Sequence, residues 1–157
     1  MNDTAITGNG RMLIEFKDEE ELALTEHTRI YIDEVYYDPD PSLSKMTMRM
    51  ALGTARFTSG TGARIDKANV DISTPTAQIG IRGTDFTTTV DELGRTLVVL
   101  LPDETGKSSG EIFITNAGGT ITLNEAYQSM MLQSYDVMPQ RTVTVSYTHL
   151  RAHETYD

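Results

Sequence analysis

A chain of 157 residues, 38% hydrophobic and 23% charged, is long enough for one domain with a modest core, and its composition excludes disorder. Its net charge of −10, from 13 basic and 23 acidic residues, argues against a nucleic-acid partner, which requires a basic face. The absence of cysteine excludes disulfides and thiolate metal sites, and no run approaches the ~20 apolar residues of a membrane-spanning helix.

The opening MNDTAITGNG has no basic n-region and no apolar h-region, so no signal peptide is read there. Met12, Ile14 and Phe16 then alternate with Leu13 and Glu15. Asp18 to Leu24 is compatible with a helical turn, although Leu22 and Leu24 also alternate about Ala23. Ile30 and Ile32 flank Tyr31, and the run continues through Val35, Tyr36 and Tyr37 until Asp38-Pro39-Asp40-Pro41 stops it. Met46, Met48 and Met50 alternate with Thr47 and Arg49; Gly60-Thr61-Gly62 reads as a loop; Val70 and Ile72 flank Asp71. Period two recurring in short pieces rich in threonine and β-branched residues predicts strands.

The stretch TPTAQIGIRGTDF, Thr74 to Phe86, alternates Ile79 and Ile81 and then breaks at Arg82-Gly83-Thr84. Asp91-Glu92-Leu93-Gly94 separates Phe86–Val90 from Arg95–Leu101 and predicts a hairpin with Gly94 at positive φ. The continuous apolar run Leu97 to Leu101, LVVLL, predicts a central strand buried on both faces. Asp103 to Gly110 reads as a polar loop, and Asn116-Ala117-Gly118-Gly119 as a second hairpin turn between Ile112–Thr115 and Thr120–Leu123. The sum is an all-β class: one domain of short strands over residues 1–144, forming a sandwich or a solenoid-like β-roll.

The motifs that resemble chemistry fail on their own spacing. Asp38, Asp40 and Ser42 occupy the first, third and fifth places of a calcium loop, but Leu43 and Arg49 stand where glycine and glutamate are needed. Gly106-Lys107-Ser108 ends like a phosphate loop, yet Leu101 replaces the first glycine. His27, in the polar turn Thr25-Glu26-His27-Thr28, lacks a second ligand and a nucleophile to serve. The acidic run Asp18-Glu19-Glu20-Glu21 reads as a solvated turn. No catalytic, cofactor-binding or metal-binding residue is assigned, no cofactor is expected, and the chain is read as non-enzymatic. Tyr31, Tyr36 and Tyr37 are the residues from which a carbohydrate-binding platform could be built, with packing across strands as the plainer role.

The stretch ISTPTAQIGIRGTDFTTTVDELGRTLVVLLPD resembles the heart of the FecR domain, the ferric-citrate-regulator type of cell-surface signalling domain. FKDEEELALTEHTRIYIDEVYYDPD, MALGTARFTSG, EIFITNAGG and TITLNEAYQSMML resemble the family's flanking strands, so the resemblance runs from about Gly10 to Leu132. It implies an extracytoplasmic β domain with a protein partner: an outer-membrane receptor that passes it a signal, or identical subunits where the domain is scaffold. In signalling members the domain follows an anti-sigma segment and one membrane helix, neither of which is visible here. The acidic, methionine-rich composition is also similar to marine viral or bacterioplankton versions, which makes a phage or surface structural protein, located in the virion, the alternative. Within the motif Thr74, Pro75, Thr76, Ile81, Arg82, Gly83, Thr84, Asp85 and Phe86 are read as architectural. Pro75 fixes the lead-in, Gly80 leaves room for a ring or backbone, and Arg82 pairs with Asp85 or Asp71. Gly83 re-aims the strand, and Phe86 fills the core.

The last stretch, VSYTHLRAHET from Val145 to Thr155, fits neither period. It resembles the translated read-through of a transposase-based sequencing adapter, with Tyr156-Asp157 as index sequence. Residues 145–157 are therefore set apart as non-native, together with His149 and His153, and natural sequence is expected to continue past Thr144.

Overall fold

The computed structural model describes residues 3–16, 20–36, 38–39, 45–58, 70–82, 84–137 and 143–144, with backbone only for Arg82, Val143 and Thr144. The expectations about Asp18, Tyr37, Asp40, Gly60–Gly62, Gly83 and the segment 145–157 fall outside these residues.

All regular structure among the described residues is strand. The strands are β1 (Asp3–Ile6), β2 (Met12–Glu15), β3 (Glu21–Leu24), β4 (Arg29–Tyr36), β5 (Lys45–Thr58), β6 (Val70–Ser73) and β7 (Gln78–Arg82). They continue as β8 (Phe86–Val90), β9 (Thr96–Leu100), β10 (Glu111–Asn116), β11 (Gly119–Leu123), β12 (Gln128–Leu132) and β13 (Val143–Thr144). Glu21–Leu24 is a strand and not part of a helical turn, because Leu22 and Leu24 are both driven to one inner face beside β5.

The strands divide into two sheets that share β5. Its first half pairs with β4 and, in parallel, with β6, and β7, β10 and β11 extend that first sheet on one side and β1 on the other. Its second half pairs with β3 and β8, and β2, β9, β12 and β13 complete the second sheet. The fold is thus the all-β single domain expected, with both inner faces meeting in one apolar core.

Registers show how the core is laid down. In the first sheet Ile32, Met48, Ile72, Ile79 and Ile114 stand side by side across successive strands, as do Met46, Val70, Ile81, Ile112 and Leu123. In the second sheet Leu22, Phe57, Phe86 and Leu100 form one row. Phe57 and Phe86 are directly opposite, their ring centroids 5.8 Å apart, and both are at most 1% exposed. Burying one such ring is worth about 1.5–3 kcal/mol.

The long strand β5 changes its buried parity on the way. Met46, Met48 and Met50 face inward at even positions, whereas Ala55 and Phe57 face inward at odd ones. The cause is a bulge against β4: Arg29 pairs with Leu52 and Ile30 with Met50, so Ala51 is an extra residue. One extra residue inverts the alternation, which lets the strand keep its apolar side on the core as it passes from one sheet to the other. Gly53 follows at φ +100, beneath Thr28, whose Cα is 2.5 Å from the place a Cβ would occupy.

The LVVLL run is central but not buried on both faces. Thr96, Val98 and Leu100 point into the core, while Leu97 and Val99 lie half-buried on the outer face of the second sheet. A two-layer fold offers each strand one dry side, and every described strand belongs to one of the two layers.

Candidate functional site

The turn between β6 and β7 is written by its sequence. The Thr74 N–H donates to the Ala77 carbonyl at 2.8 Å, and the N–H groups of Thr76 and Ala77 donate to the Thr74 hydroxyl at 3.3 and 3.1 Å. Pro75 needs no acceptor there, having no N–H. From this turn two hydroxyls reach into the other sheet. Thr74 Oγ1 and Thr76 Oγ1 lie 2.7 and 2.6 Å from Thr96 Oγ1, at the start of β9, and Thr76 also donates to the Gly94 carbonyl at 3.0 Å. Thr96 is fully buried. Three threonines therefore join the two sheets at one end of the sandwich.

The hairpin that receives them closes on Asp91. Its carboxylate accepts the N–H groups of Leu93 and Arg95 at 3.0 and 2.9 Å and pairs with the Arg95 guanidinium. Gly94 has φ +84, as the sequence predicts, and a Cβ on it would stand 3.1 Å from Pro75. A second hydroxyl cluster borders the first: Thr7 donates to the Thr25 carbonyl at 2.6 Å and accepts from Thr28 N–H at 2.9 Å, and Thr28 Oγ1 accepts from Thr54 N–H at 3.1 Å. His27 sits in this turn at φ 53, left-handed and solvated, as a polar turn residue.

Between these turns lies an open groove of about 640 Å³, lined among others by Ile6, His27, Leu52, Pro75, Glu92 and Leu93. Leu93 is 77% exposed and Ile6 55%. A rim of apolar side chains with Arg29, Asp91 and Glu92 around a shallow floor suits contact with another protein surface and lacks the enclosure of a small-molecule pocket.

The other end of the motif is a separate junction. Between β7 and β8 the chain passes from the first sheet to the second, and Thr84, fully buried, donates to the Glu111 carbonyl at 3.0 Å. Ser109 holds the junction: its Oγ accepts from Asp85 N–H at 2.9 Å and donates toward the carbonyls of Asp85 and Leu101 at 3.1 and 2.7 Å. Ile81 and Phe86 on either side are core residues. Gly80 lies directly across from Phe113 on β10, and a Cβ there would meet Asp71 at an ordinary 3.5 Å.

The rejected phosphate loop has a structural counterpart. The Asp103 carboxylate accepts the N–H groups of Thr105 and Lys107 at 2.8 and 3.1 Å and the Thr105 hydroxyl at 2.6 Å, which fills the place an anion would take. Those bonds, the Thr105 hydroxyl first, hold its carboxyl below the usual aspartate range.

Tyr31 and Tyr36 stand across from Arg49 and Lys45 on the outer face of the first sheet, and each has a charged neighbour. Tyr31 has the Arg49 guanidinium 4.8 Å from its ring centre, with Arg49 also bound to Asp33 at 2.8 and 2.9 Å. Tyr36 donates to Asp38 further along β4, beyond a register shift. Among the described residues no group of three or more His, Asp or Glu side chains could hold a metal ion. Sequence reasoning missed Thr96, Ser109 and Thr54, since a threonine in a strand reads as propensity and its distant partner leaves no local trace.

Residues 3–103 match the family described as FecR protein. Two crystal structures of a candidate anti-sigma factor from Parabacteroides distasonis superpose with TM-scores of 0.66 and 0.63 at 11% identity. Each superposition covers 97% of this chain and 64% of the solved one, so this chain spans under two thirds of their length. No curated protein matches.

Proposed function

The chain belongs to the FecR family, and from that premise we propose that it is a non-enzymatic interaction and signal-sensing module acting outside the cytoplasm, at a bacterial surface or in the periplasm. The family match over residues 3–103 carries the reading, and the fold shared with a candidate anti-sigma factor supports it. The partner is a protein, with the end groove around Pro75, His27 and Leu93 as a contact surface. The motif from Thr74 to Phe86 serves as architecture: its hydroxyls tie turn to hairpin and its apolar residues fill the core. On this reading Arg82→Ala lowers the melting temperature and leaves partner binding intact below it; unchanged melting with lost binding would overturn it.

A phage or cell-surface structural protein is the second reading, supported by the scaffold character of the fold. A glycan platform on Tyr31, Tyr36 and Tyr37 has less support, since Arg49 covers one face of Tyr31 and Tyr36 is engaged with Asp38. Residues 1–144 are proposed as the native domain and 145–157 as adapter-derived. Long-read recovery of the gene and its neighbours tests these together. An upstream membrane helix with an anti-sigma segment supports signalling; capsid or tail genes alongside, with neither feature, transfer the domain to the virion. Persistence of VSYTHLRAHET in the recovered gene would restore the tail, with His149 and His153, to the protein.

A further inference from the structure

The outer face of the second sheet is unlike the rest of the surface. Leu97 and Val99 on β9 lie beside Thr87 and Thr89 on β8, and Met131 on β12, 46% exposed, stands directly across from Leu97. Leu13, 55% exposed, and Ala23 extend the face on β2 and β3. No described strand forms a third layer over it.

Charge distribution indicates what covers it. The outer face of the first sheet carries Asp33, Glu34, Lys45, Arg49 and Asp71, with Arg49 and Lys45 already paired to Asp33 and Glu34. On the second sheet the charged outward residues of β2, β3, β8, β9, β12 and the second half of β5 are Glu15, Glu21 and Arg56. In a chain of net charge −10, a near-neutral apolar face is where an identical chain can approach with least repulsion. The face is also self-complementary. Glu15 and Glu21 are directly opposite in register, an unfavourable like-charge pair, and neither has an ion-pair partner among the described residues. Arg56, one row away and exposed, has none either. A twofold axis that set the guanidinium of each copy against the glutamate pair of the other would relieve that pair.

We propose that the outer face of the second sheet, centred on Leu97, Val99 and Met131, is the contact between two copies of this chain, with Arg56 of one copy against Glu15 and Glu21 of the other. The inference rests on the reading of the domain as a protein-interaction module and names one of its partners. Sedimentation velocity of the full chain over a concentration series is the test. The expected result is a monomer–dimer equilibrium that Leu97→Asp or Met131→Lys weakens at least about tenfold, with far-UV circular dichroism retained. Met131 is exposed in the monomer, so its variant folds even if the Leu97 variant does not. Arg56→Glu and Glu21→Arg each weaken the dimer, and their equimolar mixture recovers it. A monomer at every concentration, or a dimer indifferent to all four substitutions, overturns the inference. Either result leaves the module reading to the gene-recovery experiment, whose outcome is independent.

Discussion

Thr96 carries more than its size suggests. Its hydroxyl meets those of Thr74 and Thr76 in a dry site, and a buried hydroxyl left without its partner costs about 1–3 kcal/mol. Thr96→Val keeps the shape and removes the hub, so a loss of about 1–2 kcal/mol, or about 2–8 °C in melting temperature, is expected by thermal denaturation; an unchanged melting curve would show the cluster to be inert. Two glycines provide a matched contrast. Gly53 and Gly106 both have positive φ, but a Cβ on Gly53 runs into the Thr28 backbone while one on Gly106 meets open space. Gly53→Ala is expected to cost more than about 3 kcal/mol and Gly106→Ala about 1 kcal/mol, read from urea midpoints at constant m-value. Equal costs would mean that φ, and not the Thr28 contact, sets both.

Strands were largely legible from period two, and both hairpin turns from their Gly residues with Asp91 or Asn116, because those signals are local. What escaped the sequence is non-local. The runs around Met48 and Phe57 are one strand, β5, and nothing before the Ala51 bulge marks the inversion of parity. LVVLL read as doubly buried because an apolar run does not say how many layers a fold has. In the candidate site Pro75 was legible as a fixed lead-in to β7, whereas Thr96, the partner of Thr74 and Thr76, was not, being 20 residues beyond Thr76. The family match ends at residue 103, yet β10 pairs with β7 over five positions and places Ile112 and Ile114 in the core, and β12 adds Met130 and Leu132. A chain cut after Asp103 is therefore expected to be unfolded by circular dichroism and to lack a cooperative urea transition; a cooperative fold of 1–103 would make the later strands an accessory.

Acid should loosen the domain over a defined window. Asp33 is held below its ordinary range by the hydrogen bond from Arg49, and Asp103 by that from Thr105. A carboxyl depressed on folding stabilises above its unfolded value of about 3.9, and that contribution disappears as pH falls through the folded value. Urea midpoints should hold nearly level between about pH 5 and 7 and decline below about pH 4, with Asp33→Asn and Asp103→Asn together flattening the decline. Asp103 is exposed and Asp33 partly so, so the change is small and weaker at high salt. The shared strand has a wider effect. Because β5 belongs to both sheets, neither layer can detach while the other stays whole, and hydrogen exchange at Met48 and Phe57 should proceed through the same opening. β5 then acts as a mechanical linkage, so a load applied by a partner on one layer is borne by the other.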